Sequence, residues 1–432
     1  MTSTHSVPKP STATPVPGSS RPTVLAVATE WSSAHGGLST FNRRLCVALA
    51  ASGASVACLV STATESEIED AGARGVRLVI RHRTSGGSGH AAVVGNPAHS
   101  CSRPDLVIGH GRVTGAEAEA LVRENYPFAA RLHFVHVIPD ELEWWRPGRD
   151  DDPGERAEQR TLTELRLCRG ADAVVAVGPR LQQILLRDLA AVDGAPGPRR
   201  FDPGFDLAST RVRVPPPGAP AQILLMGRLA DYEIKGVDLA VRSLAHALVL
   251  RGRDEEVELL VRGVPPGEAG AFRNQVLSWA GDTGMRVTVR PFTTNADSLR
   301  QDLMRATLML MPSRAESFGL VGVEAMVSGT PVLVSSRSGL GMLLGESLGS
   351  EDAARLVVPV RLREREDVQR WGYRIASVLD DPAAAFASVD AARRRMAALH
   401  TWESAARDLL SGYGGIRPHL VSYPSDRPVL TP

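Results

Sequence analysis

The chain has 432 residues, of which 43% are hydrophobic and 22% are charged, a composition that is ordinary for a globular protein. The length suggests two or three domains. The formal net charge of +1 argues against a nucleic-acid binder that works through a broad basic surface. No stretch approaches the roughly 20 apolar residues that a membrane span needs, so no transmembrane segment is expected.

Residues 1–20 are rich in Pro, Ser and Thr and lack an apolar core, which favours a disordered leader over a secretory signal. The four cysteines are scattered, without a C-x2-C pair. This pattern argues against a zinc site or a disulfide framework and favours a reducing, cytoplasmic location.

Short apolar runs alternate with helical patterns from residue 24 onward. The runs lie at residues 24–28, 56–60, 76–80, 106–108, 132–137 and 173–177, with helices expected at 39–51 and 65–73. This alternation is typical of a parallel sheet that is buried on both faces.

A proline-rich stretch at residues 190–221 interrupts this pattern, and because proline disrupts helices and central strands it predicts an interdomain connection. The alternation then resumes. Apolar runs follow at 223–226, 257–261, 287–289, 308–311 and 332–334, with helical patterns at 237–250, 271–280, 298–305 and 321–328. Further helices are expected up to about residue 413, followed by a tail.

The sequence therefore predicts an N-terminal domain over 21–200, a C-terminal domain over 215–399, and a C-terminal helix and tail over 400–432. Right-handed crossovers make each domain a doubly wound sheet. Ligands of such sheets bind at the carboxyl ends of the strands, so the cleft between the domains is the expected site.

Lysine is nearly absent: Lys9 and Lys235 are the only two among 49 basic residues. Lys235 precedes the helix at 237–250, and Arg228 follows the strand at 223–226. Two fixed cations at that edge can neutralise a diphosphate leaving group without a metal. A solvated loop lysine is the alternative, which the preference for arginine disfavours.

Gly36 and Gly37 lie between the strand at 24–28 and the helix at 39–51. Glycines there let backbone N–H groups approach a phosphate at the helix N-terminus. A tight strand-to-helix turn is an equally good interpretation. The pattern is not G-x-G-x-x-G, so a dinucleotide fingerprint is missing.

Two glutamates flank a glycine after the strand at 308–311. Gly319 opens a helix whose free N–H groups can bind phosphate or sugar hydroxyls. Glu324, about one turn into that helix, can accept hydrogen bonds from a ribose diol, and Glu316 can hold a sugar hydroxyl. Taken singly, each glutamate is better explained without a ligand, Glu324 as a solvent-facing charge and Glu316 as a loop charge.

Residues 312–332 read P-S-x-x-E-S-F-G-L-x-x-x-E-A-M-x-x-G-x-P-V, which resembles the signature of family-4 glycosyltransferases with its E-x7-E element. The glycine pair resembles the family's N-domain loop. Gly227-Arg228-Leu229 with Lys235-Gly236 resembles its G-R-L…K-G element, although the loop between them is longer than is usual. The resemblance covers most of residues 23–399. It implies an α/β, GT-B architecture: two Rossmann-like, doubly wound parallel-sheet domains that face each other across a cleft.

The resemblance also implies transfer of a sugar from a nucleoside-diphosphate sugar, UDP being favoured, with retention at the anomeric carbon and with neither a cofactor nor a catalytic metal. Arg228 and Lys235 would hold the diphosphate and Glu316 the donor sugar. Glu324 would bind the ribose. The remaining expected contacts are with sugar and phosphate oxygens and come from Gly37 and from the backbone of Phe318, Gly319 and Leu320.

Two histidines follow strand ends. His136 lies where the family often places a histidine near the donor sugar, and His110 could line the acceptor side. Each could instead be a satisfied core histidine. The paired Trp144 and Trp145 could stack on an acceptor or pack against the domain. The acidic run at 150–152 could suggest a D-x-D metal site, but the dipole of the helix that follows, which stabilises acidic residues near its first turn, explains it better.

Two alternatives to transfer remain: a nucleotide-sugar epimerase of the same fold, and a non-catalytic sugar-nucleotide-binding module. An epimerase would need a carboxylate and histidine acid–base set, which the E-x7-E pattern fits poorly. The charged set argues against a silent module. The sequence leaves the acceptor, the donor sugar and the oligomeric state open.

Overall fold

The computed structural model describes residues 21–32, 37–81, 103–145, 152–207, 209–215, 220–252 and 256–412. The expected leader at 1–20 and the expected tail beyond 412 lie outside this range. The described residues form two parallel sheets, of seven and six strands. None of the helices in these ranges combines the length and the apolar character that crossing a bilayer would require.

The first sheet has the strand order β3-β2-β1-β4-β5-β6-β7, and every neighbouring pair is parallel. The order reverses between β1 and β4. Its strands are β1 (Thr23–Val27), β2 (Ser55–Val60), β3 (Val76–Ile80), β4 (Leu106–His110), β5 (Ala130–Val135), β6 (Ala173–Val177) and β7 (Pro198–Phe201). Its helices are α1 (Gly37–Ala51), α2 (Glu65–Ala73), α3 (Gly111–Glu124), α4 (Pro139–Glu143), α5 (Pro153–Arg169) and α6 (Gly178–Leu189).

The second sheet has the order β10-β9-β8-β11-β12-β13, again parallel throughout, and reverses between β8 and β11. Its strands are β8 (Ala221–Met226), β9 (Val257–Val264), β10 (Arg286–Pro291), β11 (Leu308–Met311), β12 (Val332–Ser335) and β13 (Val357–Val358). The helices of this half are α7 (Tyr232–Lys235), α8 (Val237–Arg251), α9 (Ala269–Ala280), α10 (Ala296–Arg305), α11 (Leu320–Val327), α12 (Gly339–Leu348), α13 (Ser350–Leu356), α14 (Glu364–Asp380) and α15 (Pro382–Leu399); α16 (Trp402–Ser411) follows.

The central strands owe their burial to runs of apolar side chains. Every residue of β4, β6 and β11 is buried, as a parallel sheet covered by helices on both faces requires. The architecture is GT-B, with two Rossmann-like domains, as the sequence predicted. The two reversals of strand order place a ligand crevice at the carboxyl ends of the central strands of each sheet.

The proline-rich stretch is not wholly a connection. Residues 198–201 form β7, which pairs with β6 at the edge of the first sheet. The interpretation of 190–221 as an interdomain connection is therefore wrong for β7, most of which falls within the N-terminal domain predicted over 21–200. Pro198 is the first residue of this edge strand, a position where the missing N–H of proline is tolerated.

The last helix returns to the first domain. Trp402 of α16 is 3% exposed, and its ring centroid lies 5.1 Å from that of Phe41 on α1 and 5.8 Å from that of Phe201 on β7. Beside it the two chain segments between the domains meet, since the N–H of Phe205 donates a 2.9 Å hydrogen bond to the carbonyl of His400. The domains are therefore packed together at this end.

Candidate active site

The candidate site lies where the second sheet reverses its strand order. Arg228 follows β8, and a 3-10 turn (Leu229–Asp231) leads into α7, which ends at Lys235. Gly236 then takes the left-handed conformation with φ of 68°, and an added Cβ there would lie 2.3 Å from the carbonyl oxygen of Pro312. Glycine is required at this close approach, and it brings Lys235 beside the segment that follows β11.

Lys235 forms an ion pair with Glu316. Lys235 Nζ lies 2.5 Å from Glu316 Oε2, and the side chains are 32% and 16% exposed. Ser313 Oγ donates a 3.4 Å hydrogen bond to the same oxygen. The structure thus brings together two residues that the sequence predicted for different parts of one ligand, a diphosphate and a sugar.

The loop that carries Glu316 is held rigidly. The Glu316 N–H donates to the carbonyl of Arg337 at 3.1 Å, and the Glu316 carbonyl accepts from Gly339 N–H at 3.1 Å. Arg314 makes a bidentate pair with Asp238 at 2.7 and 2.6 Å. These contacts restrict the backbone on both sides of Glu316, so the segment that carries the carboxylate is held against the loop after β12.

Arg228 is exposed at the carboxyl end of β8, and no residue in the described ranges forms an ion pair with its guanidinium. Lys235 and Arg228 therefore differ: one cation is held against a carboxylate, and the other has no ion-pair partner among the described residues.

Gly319 creates the turn into α11. Its φ is 104°, a backbone conformation that favours glycine, and an added Cβ would also press on the end of the Met311 side chain, 2.8 Å from its Cε. The first N–H groups of the helix, from Leu320 onward, have no partner within the helix. Phe318 is buried, and its ring packs against Gly178 of the first domain, where an added Cβ would lie 2.5 Å away.

Glu324 is partly buried on α11, and no described residue donates a hydrogen bond to its carboxylate. Burial raises its pKa above the ordinary value, and the positive charge of Arg44 on α1 opposes this shift. A carboxylate that is desolvated and without a donor can accept hydrogen bonds from a diol.

The first domain reaches this edge through the N-terminus of α1. Gly37 is exposed, and an added Cβ would lie 3.7 Å from Leu320 Cδ1. This contact places the start of α1 next to the start of α11. Gly36, which was expected to act with Gly37, lies outside the described residues.

The two candidate histidines are bonded to each other. His110 Nδ1 lies 2.9 Å from His136 Nε2, and His110 Nε2 lies 2.8 Å from the side-chain oxygen of Asn42 on α1. His110 is 1% exposed, so in this structure it lies behind His136 rather than on a surface that an acceptor could touch. Burial lowers the pKa of His110 to about 3 and that of His136 well below its ordinary range.

Two contacting residues, Asn42 and Arg314, were not among the sequence-based candidates, because nothing in their local pattern marks them. Arg314 makes a cross-domain contact, in which its guanidinium lies 5.3 Å from the ring centroid of Trp145. Trp145 thus packs against the second domain, while Trp144 is 63% exposed.

The acidic run offers no three-residue metal cluster in the described part of the chain. Asp152 caps α5, its carboxylate accepting from Gly154 N–H at 2.8 Å, and residues 150 and 151 lie outside the description. One group with metal-ligand composition occurs in the described ranges, His133, Glu164 and Cys168. It is buried in the first domain, where His133 and Glu164 bond to each other at 2.8 Å.

Two parallel-sheet domains with a cation–carboxylate pair at the carboxyl ends of the strands have the architecture of GT-B glycosyltransferases. The chain belongs to the family described as family 4 glycosyltransferase in conflict systems, whose model matches residues 25–409.

Relatives and solved structures agree with this assignment. The chain is 33% identical to a D-inositol 3-phosphate glycosyltransferase 1 of Catenulispora acidiphila over 72% of each protein. Alignments with several further relatives named D-inositol 3-phosphate glycosyltransferase span about half of their length.

The fold is similar to that of sucrose-phosphate synthase from Thermosynechococcus elongatus, with a TM-score of 0.66, 21% identity, and coverage of 92% of this chain and 99% of that one. It is also similar to the Anabaena protein HepE, solved in complex with UDP and glucose, with a TM-score of 0.62, 16% identity, and coverage of 91% and 100%.

Proposed function

We propose that this glycosyltransferase moves a sugar from a nucleoside-diphosphate sugar to an acceptor hydroxyl, with retention at the anomeric carbon and without a catalytic metal. The observation that carries the proposal is the 2.5 Å pair between Lys235 and Glu316 beside the end of β11. A donor substrate presents a pyrophosphate next to a sugar ring, and this pair offers a cation for the first and a carboxylate for the second.

The cations supply the electrostatic part of the reaction. As the bond between the anomeric carbon and the phosphate oxygen breaks, negative charge builds on the diphosphate. Lys235 and Arg228 are available to stabilise that charge, which is the work that a divalent metal does in other phosphate sites.

Retention follows if the acceptor attacks from the face that the diphosphate leaves. The acceptor oxygen then forms the new bond to the anomeric carbon, the bond to the phosphate oxygen breaks, and the acceptor proton passes to the departing phosphate. No general base from the protein is needed in this sequence of events. Closure of the domains would exclude water that could otherwise attack the donor.

The remaining donor contacts come from α11 and its turn. Glu324 would accept hydrogen bonds from the ribose diol, and the backbone N–H groups from Phe318 to Leu320 would bind sugar and phosphate oxygens. We favour UDP as the leaving nucleotide, in keeping with the UDP bound to the Anabaena protein of similar fold. Inositol 3-phosphate, named in the Catenulispora relative, is the first acceptor to test.

The test has two stages. Thermal unfolding with a panel of nucleoside diphosphates and sugar nucleotides identifies the nucleotide, because a ligand that binds only the folded state raises the melting temperature. The selected donor is then incubated with inositol 3-phosphate and other hydroxyl acceptors in the presence of EDTA, and NMR gives the anomeric configuration of the product. Retained configuration with EDTA present is expected.

Three results would contradict the proposal. An inverted product would exclude retention, and loss of turnover with EDTA, restored by a divalent metal, would exclude metal independence. Nucleoside diphosphate released without any acceptor, together with an isomerised sugar, would identify an epimerase instead.

A further inference from the structure

Asn42, His110 and His136 form a hydrogen-bonded chain, the histidine relay, that runs from the core of the first domain to the cleft. Asn42 is 1% exposed on α1, and its amide nitrogen donates to Cys58 Sγ at 3.4 Å. The amide is therefore oriented by the core, and its oxygen faces His110 Nε2 at 2.8 Å.

An amide oxygen can only accept a hydrogen bond, so the proton of His110 must be on Nε2. His110 Nδ1 is then an acceptor, and its 2.9 Å neighbour, His136 Nε2, must carry the proton of the second ring. The remaining nitrogen of His136, Nδ1, keeps its lone pair. One amide thus fixes the tautomers of both rings in turn.

His136 is only partly buried and follows the carboxyl end of β5, which is the ligand edge of a parallel sheet. The edge of Phe41 packs against the ring at 4.8 Å between centroids, which restricts its rotation. No described residue hydrogen-bonds to Nδ1 of His136.

We propose that Asn42 and His110 are positioning residues that hold His136 as a hydrogen-bond acceptor, so that the group it binds in the cleft must be a hydroxyl donor such as a sugar hydroxyl. An anionic oxygen is excluded at this position, because a neutral ring with its lone pair outward has no proton to offer it. This inference rests on the proposed function for the identity of the ligand, whereas the tautomers of His110 and His136 can be measured in the protein without any ligand.

The surroundings keep both rings neutral. Burial disfavours the charged form of both rings and lowers the pKa of each, and His133, bonded to Glu164, lies close enough to disfavour a positive charge on them further. Behind Asn42 lie the buried Cys46 and Cys58, and Cys58 is also near Arg81. The groups around the relay therefore supply no carboxylate in direct contact with His110 that would favour its protonation.

The first experiment measures the tautomers directly. The full-length protein, labelled with nitrogen-15 at histidine, is studied by long-range proton–nitrogen correlation NMR at neutral pH, with His136→Gln and His110→Gln spectra giving the assignments. Both rings should carry the proton on Nε2 in the wild type. A proton on Nδ1 of His136 in the wild-type protein would overturn the proposal, whatever the variants do.

The second experiment removes the amide. Asn42→Leu should populate both tautomers of His136, whereas the matched control Asn274→Leu, at an exposed position on α9, should leave them unchanged. Asn42→Asp keeps an accepting oxygen and should keep the wild-type tautomers at high pH. The negative charge of the aspartate raises the pKa of His110, so as the pH falls His110 gains a second proton, and the proton of His136 moves to Nδ1.

Kinetics separate positioning from a general loss of structure. Donors in which each sugar hydroxyl is replaced in turn by hydrogen should reveal one position where the wild type loses about tenfold in kcat/KM, the size expected for one hydrogen bond. Asn42→Leu should lose kcat/KM with the full donor in proportion to the fraction of His136 that leaves the wild-type tautomer, and should discriminate less than the wild type at that one position. An equal loss with every donor would mean a structural role and overturn the proposal. If both rings carry the expected tautomers but the protein turns over no sugar nucleotide, the proposed function is refuted and the tautomer assignment stands.

Discussion

Replacing Lys235 by methionine tests the charge argument most directly, because it removes the ammonium and keeps most of the side-chain volume. The lost interaction with a diphosphate corresponds to about 4 kcal/mol for unit charges about 4 Å apart at an effective dielectric constant of about 20. Removal of one charge-stabilising group from an enzyme site typically costs about 10²- to 10³-fold in kcat. We therefore expect Lys235→Met to lose at least about 10²-fold in sugar transfer.

The stability cost should be small. Lys235 and Glu316 are 32% and 16% exposed, and a partly exposed pair contributes up to about 1 kcal/mol. Initial rates of product formation at saturating donor measure the first effect, and thermal unfolding measures the second. Arg286→Met is the matched control, because it breaks an exposed pair with Glu256 at 3.4 Å, far from the site in sequence. Near-wild-type turnover of Lys235→Met, or a loss equal to that of the control, would refute the reasoning.

Two further substitutions test other parts of the site. Glu324→Gln should raise the donor KM. In the free enzyme it should also raise the melting temperature at pH 7.5 but not near pH 4, because the raised pKa of the Glu324 carboxyl makes the wild type relatively more stable in acid. The wild type loses that stability as the pH rises through the pKa of the folded state. A pH-independent difference in melting temperature would contradict this. Gly178→Ala should lose stability by about 1 to 2 kcal/mol, since φ is 83° there, and should also lower transfer by displacing Phe318. Gly270→Ala, whose added Cβ would meet nothing within 4 Å, is its control, and unchanged activity of Gly178→Ala would show that the Phe318 contact is dispensable.

The local pattern of the sequence predicts most of the fold. The buried strands β6 and β11 are continuous apolar runs, as is β4 from Leu106 to Ile108, and their spacing by helical segments suffices to predict two parallel sheets. β7 was not predicted as a strand, because an edge strand buries fewer of its side chains and tolerates a proline such as Pro198. β13 has only two residues, too few for any periodicity to appear.

The site was predictable where one segment carries its own signature and not where distant segments meet. Glu316 and Glu324 stand eight positions apart on one turn and helix. The partner of Glu316, Lys235, is 81 residues away, and their direct pairing follows from the strand order at β8 and β11. Asn42 is 68 residues from His110, and an asparagine in a helix gives no local sign that it orients a histidine on another element.

The return of α16 to the first domain has a consequence for biosynthesis. The aromatic face formed by Phe41 and Phe201 is covered by Trp402, which emerges from the ribosome some two hundred residues after the last strand of that domain. In a nascent chain this aromatic surface therefore stays exposed to solvent throughout the synthesis of the second domain. A premature stop near residue 400 would consequently damage the half of the protein that was made first.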